Sequence, residues 1–155
     1  MTKEQLKEYS LKVTQSNKSQ LVVVTYEIIL QYLEEALQYY KEGKKEEFFF
    51  SCKKAKQFLE NLSSSLDMTY EISANLSAIY HFCSSCLAKN IVKGTDENID
   101  KVMQMLKELK GSFEQVALQD DSKAVMQNDS QVYAGLTYGK GTLNETVVQG
   151  NLFQA

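Results

Sequence analysis

The sequence predicts an all-α fold: an antiparallel up-down four-helix bundle with a short N-terminal helix or arm and a non-helical C-terminal tail. Three observations carry that prediction. The 155-residue chain has no proline, and only Gly43 and Gly94 of its seven glycines fall in the first hundred positions, so little there can break a helix. Four stretches before Leu118 repeat apolar residues at intervals of three and four. Gly43 and Gly94 also stand where two of these stretches end, the place where a left-handed residue closes a helix. A chain of this length buries about two thirds of its unfolded surface, enough to hold a core without disulfides or a structural metal.

Residues 1–15 are polar with scattered apolar positions (Leu6, Tyr9, Leu11, Val13), the pattern of a short helix or arm. Asn17 with Gln20 three residues on forms a capping box, which satisfies two orphan backbone donors and starts a helix from about Lys18 to Lys41. Its apolar positions extend well past one stripe (Leu21, Val24, Ile28 and Leu33 with Val22, Tyr26, Ile29 and Tyr32), so it is expected at the centre, packed on more than one side. Phe48, Cys52, Ala55, Leu59, Leu62 and Leu66 predict an amphipathic helix from about Lys45 to Leu66. A third runs from about Tyr70 to Val92 on Ile72, Leu76, Ile79, Cys83 and Leu87, closed by Gly94. Thr95 is the expected cap of the last helix, with Asp96 and Glu97 in its first turn. There Ile99, Val102, Leu106, Leu109, Phe113 and Val116 give the period of bundle packing.

The pattern changes after Leu118, so residues 1–118 read as the helical body and 119–155 as a tail. Asp120 to Asn128 is expected to continue the helix with a break, and Gly139-Lys140-Gly141 has the composition of a hairpin turn. The alternation from Val132 to Leu143 has no core of its own, so the tail is expected to dock on the bundle or on a neighbouring subunit. There it would cover a groove until a client displaces it.

A net charge of -3 and a complete absence of arginine argue against nucleic acid, which is held by clustered cations and bidentate guanidinium groups. The polar N-terminus and the lack of any apolar run of about 18 residues predict a cytoplasmic protein without membrane insertion. Three cysteines, an odd number, fit reduced thiols better than a disulfide framework.

No reaction chemistry is legible. Cys83 and Cys86 lie about 60° apart around a helix while His81 is about 160° from Cys83, so one helix cannot present all three to a metal even with Cys52 nearby. A redox C-x-x-C normally opens a helix, where the dipole lowers the thiol pKa, and here it falls late in one. Gly139-Lys140-Gly141-Thr142 lacks the first glycine of a phosphate loop, since Ala134 stands there. No cofactor, metal or catalytic residue is therefore expected. What remains is an apolar surplus, including the run Phe48-Phe49-Phe50, suited to grooves for an amphipathic partner.

The order of elements resembles the FliS family of flagellin export chaperones over roughly residues 9 to 117. The resemblance rests on Val13 and the cap Asn17, on Leu21 to Tyr26 and the run to Ala36, and on Lys54-Ala55 with Leu59. Leu62-Ser63-Ser64-Ser65-Leu66-Asp67, Ile72-Ser73-Ala74-Asn75-Leu76 and Ile79-Tyr80-His81-Phe82 follow, then Leu87-Ala88-Lys89-Asn90 and Val102, Leu106 and Leu109. Departures include Lys18 in place of a proline, Glu27-Ile28 in place of Asp-Gly, His81 in place of an acid, Ser84-Ser85 in place of two arginines and Phe113 in place of tryptophan. Tyr9 sits about one residue closer to Val13 than the family's N-terminal tyrosine does.

The resemblance implies a cytoplasmic chaperone that binds the C-terminal segment of flagellin, prevents early polymerisation and delivers it to the export gate. Tyr26, Ile29, Leu33, Ile79, Tyr80, Phe82 and Leu87 are the expected groove residues, and Tyr9 the expected contact with the export gate. The competing reading is a non-enzymatic adaptor or structural bundle that forms a homo-oligomer through the same apolar surplus.

Overall fold

The computed structural model describes residues 1–125 and 145–153. Six helices form among them: α1 (Lys3–Gln15), α2 (Lys18–Lys41), α3 (Lys45–Ser64), α4 (Glu71–Lys93), α5 (Ile99–Leu118) and α6 (Glu145–Phe153). The arm is thus a helix, started by a capping box in which Thr2 accepts from the Gln5 amide and Gln5 accepts from the Thr2 amide. The Asn17 and Gln20 box starts α2 in the same way, at 2.9 and 3.0 Å. Gly43 and Gly94 take the left-handed conformation, at φ 70° and 66°.

Helices α2, α3, α4 and α5 make the bundle. α2 packs extensively on α3 and α5, and α3 on α4, while α4 and α5 meet only lightly. α2 is the central helix its wide apolar surface predicts, with Leu21, Tyr26, Ile28, Ile29, Leu33 and Ala36 fully buried. α1 lies along α2, where the Met1 amino group donates to Glu35 (2.6 Å), Lys12 pairs with Glu27 (3.3 Å) and Val13 enters the core. α6 packs on α1 and α3.

Two expectations need correction at element ends. Thr95 does not cap α5; the N-cap is Asn98, at φ 66°, a left-handed conformation that asparagine tolerates. The reason is tertiary: Asn90 on α4 donates to the Glu97 carbonyl (3.1 Å), which holds the loop on the bundle and delivers Ile99 fully buried. Nor do residues 119–125 continue α5 as a helix; residues 126–128 of the expected extension lie outside the described residues. The chain turns back to the start of α2, where Asn17 donates to the carbonyls of Asp120 and Ser122 (3.1 and 3.3 Å), Ser19 to the Asp120 carboxylate (2.6 Å), and the Val125 amide to the Ser16 carbonyl (3.0 Å). A carboxylate at a helix N-terminus also meets the positive end of the dipole.

The tail that follows the bundle contains one short helix, α6. Val148 and Leu152, four apart, are buried with the core, and Lys54 on α3 donates to the Asn151 carbonyl (2.8 Å). Docking on the body supplies what local sequence does not. The hairpin turn at Gly139 to Gly141 and the groove-covering stretch Val132 to Leu143 lie outside the described residues.

Candidate functional site

Most of the aromatic surplus is spent inside the bundle. Tyr26 and Tyr80, both fully buried, bring their hydroxyls to 2.5 Å, and Tyr26 also lies against Phe113 (ring centroids 5.7 Å). Tyr32 stacks on Phe58 at 6.2 Å, and Phe48 contacts both Tyr40 and Phe49. Burial, reinforced by Tyr80, pushes the Tyr26 phenol well above its ordinary pKa, and burial takes Tyr32 to about 12. These hydroxyls therefore stay neutral and serve packing.

Of the seven residues expected to line a groove, Tyr26, Ile29, Leu33, Tyr80 and Leu87 are fully buried. Ile79 is half-buried and Phe82 is 41% exposed, so these two reach the surface. Both lie on one flank of α4, and Ile72, seven residues before Ile79, extends the same flank with more than half its surface exposed. The Lys101 ammonium of α5 lies 5.4 Å from the Phe82 ring centroid, so this flank turns toward α5. Met105 and Leu109, at i+4 and i+8 from Lys101 and therefore on its face, are partly buried. α4 and α5 pack only lightly, and the flank of Ile72, Ile79 and Phe82 beside Met105 and Leu109 forms an apolar seam on which Ile72 and Phe82 stay exposed.

Near its C-terminal end α5 borders a second opening, a groove of about 700 Å³ shared with α1 and α2. Its apolar lining is Val23, Val24, Ala117 and Leu118, rimmed by Lys12, Gln20 and Glu114. α5 is thus flanked on both sides by accessible apolar surface. A third depression, about 250 Å³ between α3 and α4, is polar, with Lys56, Glu60, His81 and Ser84 around the edge of Tyr80. Met105, Leu109, Leu118 and Ile72 were not singled out as site residues by sequence, where a position flanking the main stripe looks like a poorly placed core residue.

Tyr9 is half-buried on α1, outside the four-helix core, with Lys12 over its ring at 5.2 Å. Burial raises its pKa, and Glu27 adds to that. The three cysteines are buried and unpaired; burial carries the Cys52 thiol to about 12, and burial with Cys86 beside it carries Cys83 to about 11. Thiolates are the reactive form, so both are held inert. Among the described residues no group of three His, Cys, Asp or Glu side chains could hold a metal ion, and no helix is long and apolar enough to cross a membrane.

A helical bundle with buried thiols and accessible apolar surface beside α5 is a scaffold suited to packing against another helix rather than to reaction chemistry. The family described as flagellar protein FliS matches residues 2–120, well over half of the sequence. The chain belongs to the FliS family, a family of flagellar export chaperones rather than enzymes. No curated protein matches it.

Proposed function

We propose that this protein binds the C-terminal segment of flagellin in the cytoplasm, covers it against premature polymerisation and hands it to the flagellar export apparatus. The observation that carries this reading is the open apolar ground on both sides of α5. A terminus that polymerises does so through an amphipathic strip, and covering a strip requires long apolar surface and no reaction chemistry. Ile79 and Phe82 contact the client directly, and Tyr26, Ile29, Leu33, Tyr80 and Leu87 form the packed floor that keeps the seam in shape. Tyr9 is assigned to the export-gate contact, on the family resemblance and its place on a helix outside the bundle core.

The test is co-purification with the host's flagellin, full length and lacking its C-terminal segment. Retention of the full-length protein with loss of the truncated one is expected. Equal retention of both would overturn the reading, and stable self-association with no capture of either would favour the adaptor.

A further inference from the structure

α6 has nine residues and contains Gly150, well short of the roughly 12–15 residues that an isolated helix needs in water. It is helical because it is docked. Among the described residues the docking set is Val148 and Leu152 inserted between α1 and α3, with three hydrogen bonds. Gln149 donates to Ser10 of α1 (2.7 Å), Gln57 of α3 to the Asn151 side chain (3.1 Å), and Lys54 of α3 to the Asn151 backbone carbonyl (2.8 Å). That carbonyl is among the last four of α6, which lack acceptor pairing within the helix and carry the negative end of its dipole.

Lys54 is the unusual member. Only 2% of its surface is exposed, it makes no ion pair with a carboxylate among the described residues, and the Phe50 ring is 5.8 Å away. A buried cation is costly unless something negative meets it, and what meets this one is a helix C-terminus. The site is therefore shaped for the end of a helix, with room for two apolar side chains four residues apart.

We propose that the groove between α1 and α3 is a receptor for a helix C-terminus, occupied in cis by α6, and that an amphipathic helix of the client with the same apolar pair replaces it. The proposal rests on the reading of the chain as a flagellin chaperone. It makes α6 a latch that lowers client affinity by the fraction of molecules in which it is docked.

The test uses the full chain and a peptide spanning the C-terminal segment of the host's flagellin. Hydrogen exchange at the amides of residues 148–152 is followed with and without peptide, and peptide affinity is measured for the wild type, Val148→Asp and Asn151→Asp. Bound peptide is expected to raise exchange in α6 at least about tenfold. Val148→Asp, which undocks α6, is expected to bind about five- to tenfold tighter; Asn151→Asp, which gives the residue held by Lys54 a carboxylate, about threefold weaker. The second variant threatens no apolar contact and carries the test if the first fails to fold. Binding with α6 still protected, or with affinities unmoved by the substitutions, overturns the latch and leaves the functional reading standing. No binding by any of the three proteins overturns both.

Discussion

Phe82→Ala isolates the contribution of the α4–α5 seam. Phe82 is 41% exposed, and a phenylalanine offers on the order of 200 Å², so a client covering the seam removes about 80 Å² of this side chain from water. At about 25 cal/mol per Å² that is about 2 kcal/mol, or roughly thirtyfold in affinity. The alanine methyl retains part of this burial, which brings the expected loss to about tenfold. The fold should change little, because the deleted atoms are the more exposed part of a flank residue and its contact with Lys101 is worth only about 0.5–1 kcal/mol at the surface. Isothermal titration with the flagellin C-terminal segment measures the affinity, and thermal unfolding checks the fold. Val92→Ala is the control: Val92 is 86% exposed and borders none of the grooves assigned to the client, so it should leave affinity unchanged. A folded Phe82→Ala protein that binds within threefold of wild type, or a Val92 variant that loses as much, would refute the placement of the client.

Three further outcomes follow from the packing. Asp120→Ala removes the acceptor of Ser19 and Ser122 at the α2 N-terminus and should cost about 1–2 kcal/mol in chemical denaturation at neutral pH. Burial alone would raise the Asp120 pKa, but the hydrogen bonds from Ser122 and Ser19 outweigh it and hold it below the ordinary value. Its contribution is therefore present above the unfolded pKa near 4 and is lost as pH falls through the lower folded value, so variant and wild type should converge in acid. In base the sign reverses. Cys52, Cys83, Tyr26 and Tyr32 all have raised pKa values, so they keep their protons in the fold after the unfolded chain has released them. Each should lower stability by up to about 1.4 kcal/mol per pH unit above roughly pH 9–10, and a thiol reagent at pH 8 should label Cys52 and Cys83 only after denaturant is added. Tyr80→Phe should cost about 1–3 kcal/mol by withdrawing the hydroxyl that meets Tyr26 in a fully buried position. Adding Tyr26→Phe should recover part of that loss, which a double-mutant cycle in urea would show.

The bundle was legible in sequence because its signals are local. The Asn17 and Gln20 box, the left-handed glycines at 43 and 94, and the alternating spacing of α5 each depend on neighbours a few residues away, and each appears in the structure. What escaped depends on distant partners. Asn98 replaces Thr95 as the cap because Asn90 of α4 holds the loop, and α6 is a helix because Lys54, nearly a hundred positions earlier, receives its end. The site was legible only in part for a different reason. Core and groove both use apolar residues at helical spacing, and only packing shows that Tyr26 and Tyr80 face each other while Phe82 faces outward. The absence of arginine sharpens this point, since no planar guanidinium fork is available and contacts must fall to apolar surface and lysine.

If apolar ground beside α5 receives the flagellin terminus, amide chemical shifts of the labelled full chain will report it when that segment is titrated in. The largest changes are then expected at Ile79, Phe82, Met105 and Leu109 and, as α6 is displaced, at residues 148–152, with further changes at Val23 and Leu118 and little at the polar depression around His81. Saturable binding whose shifts gather around His81 and Ser84, leaving the α4–α5 seam unmoved, would contradict it.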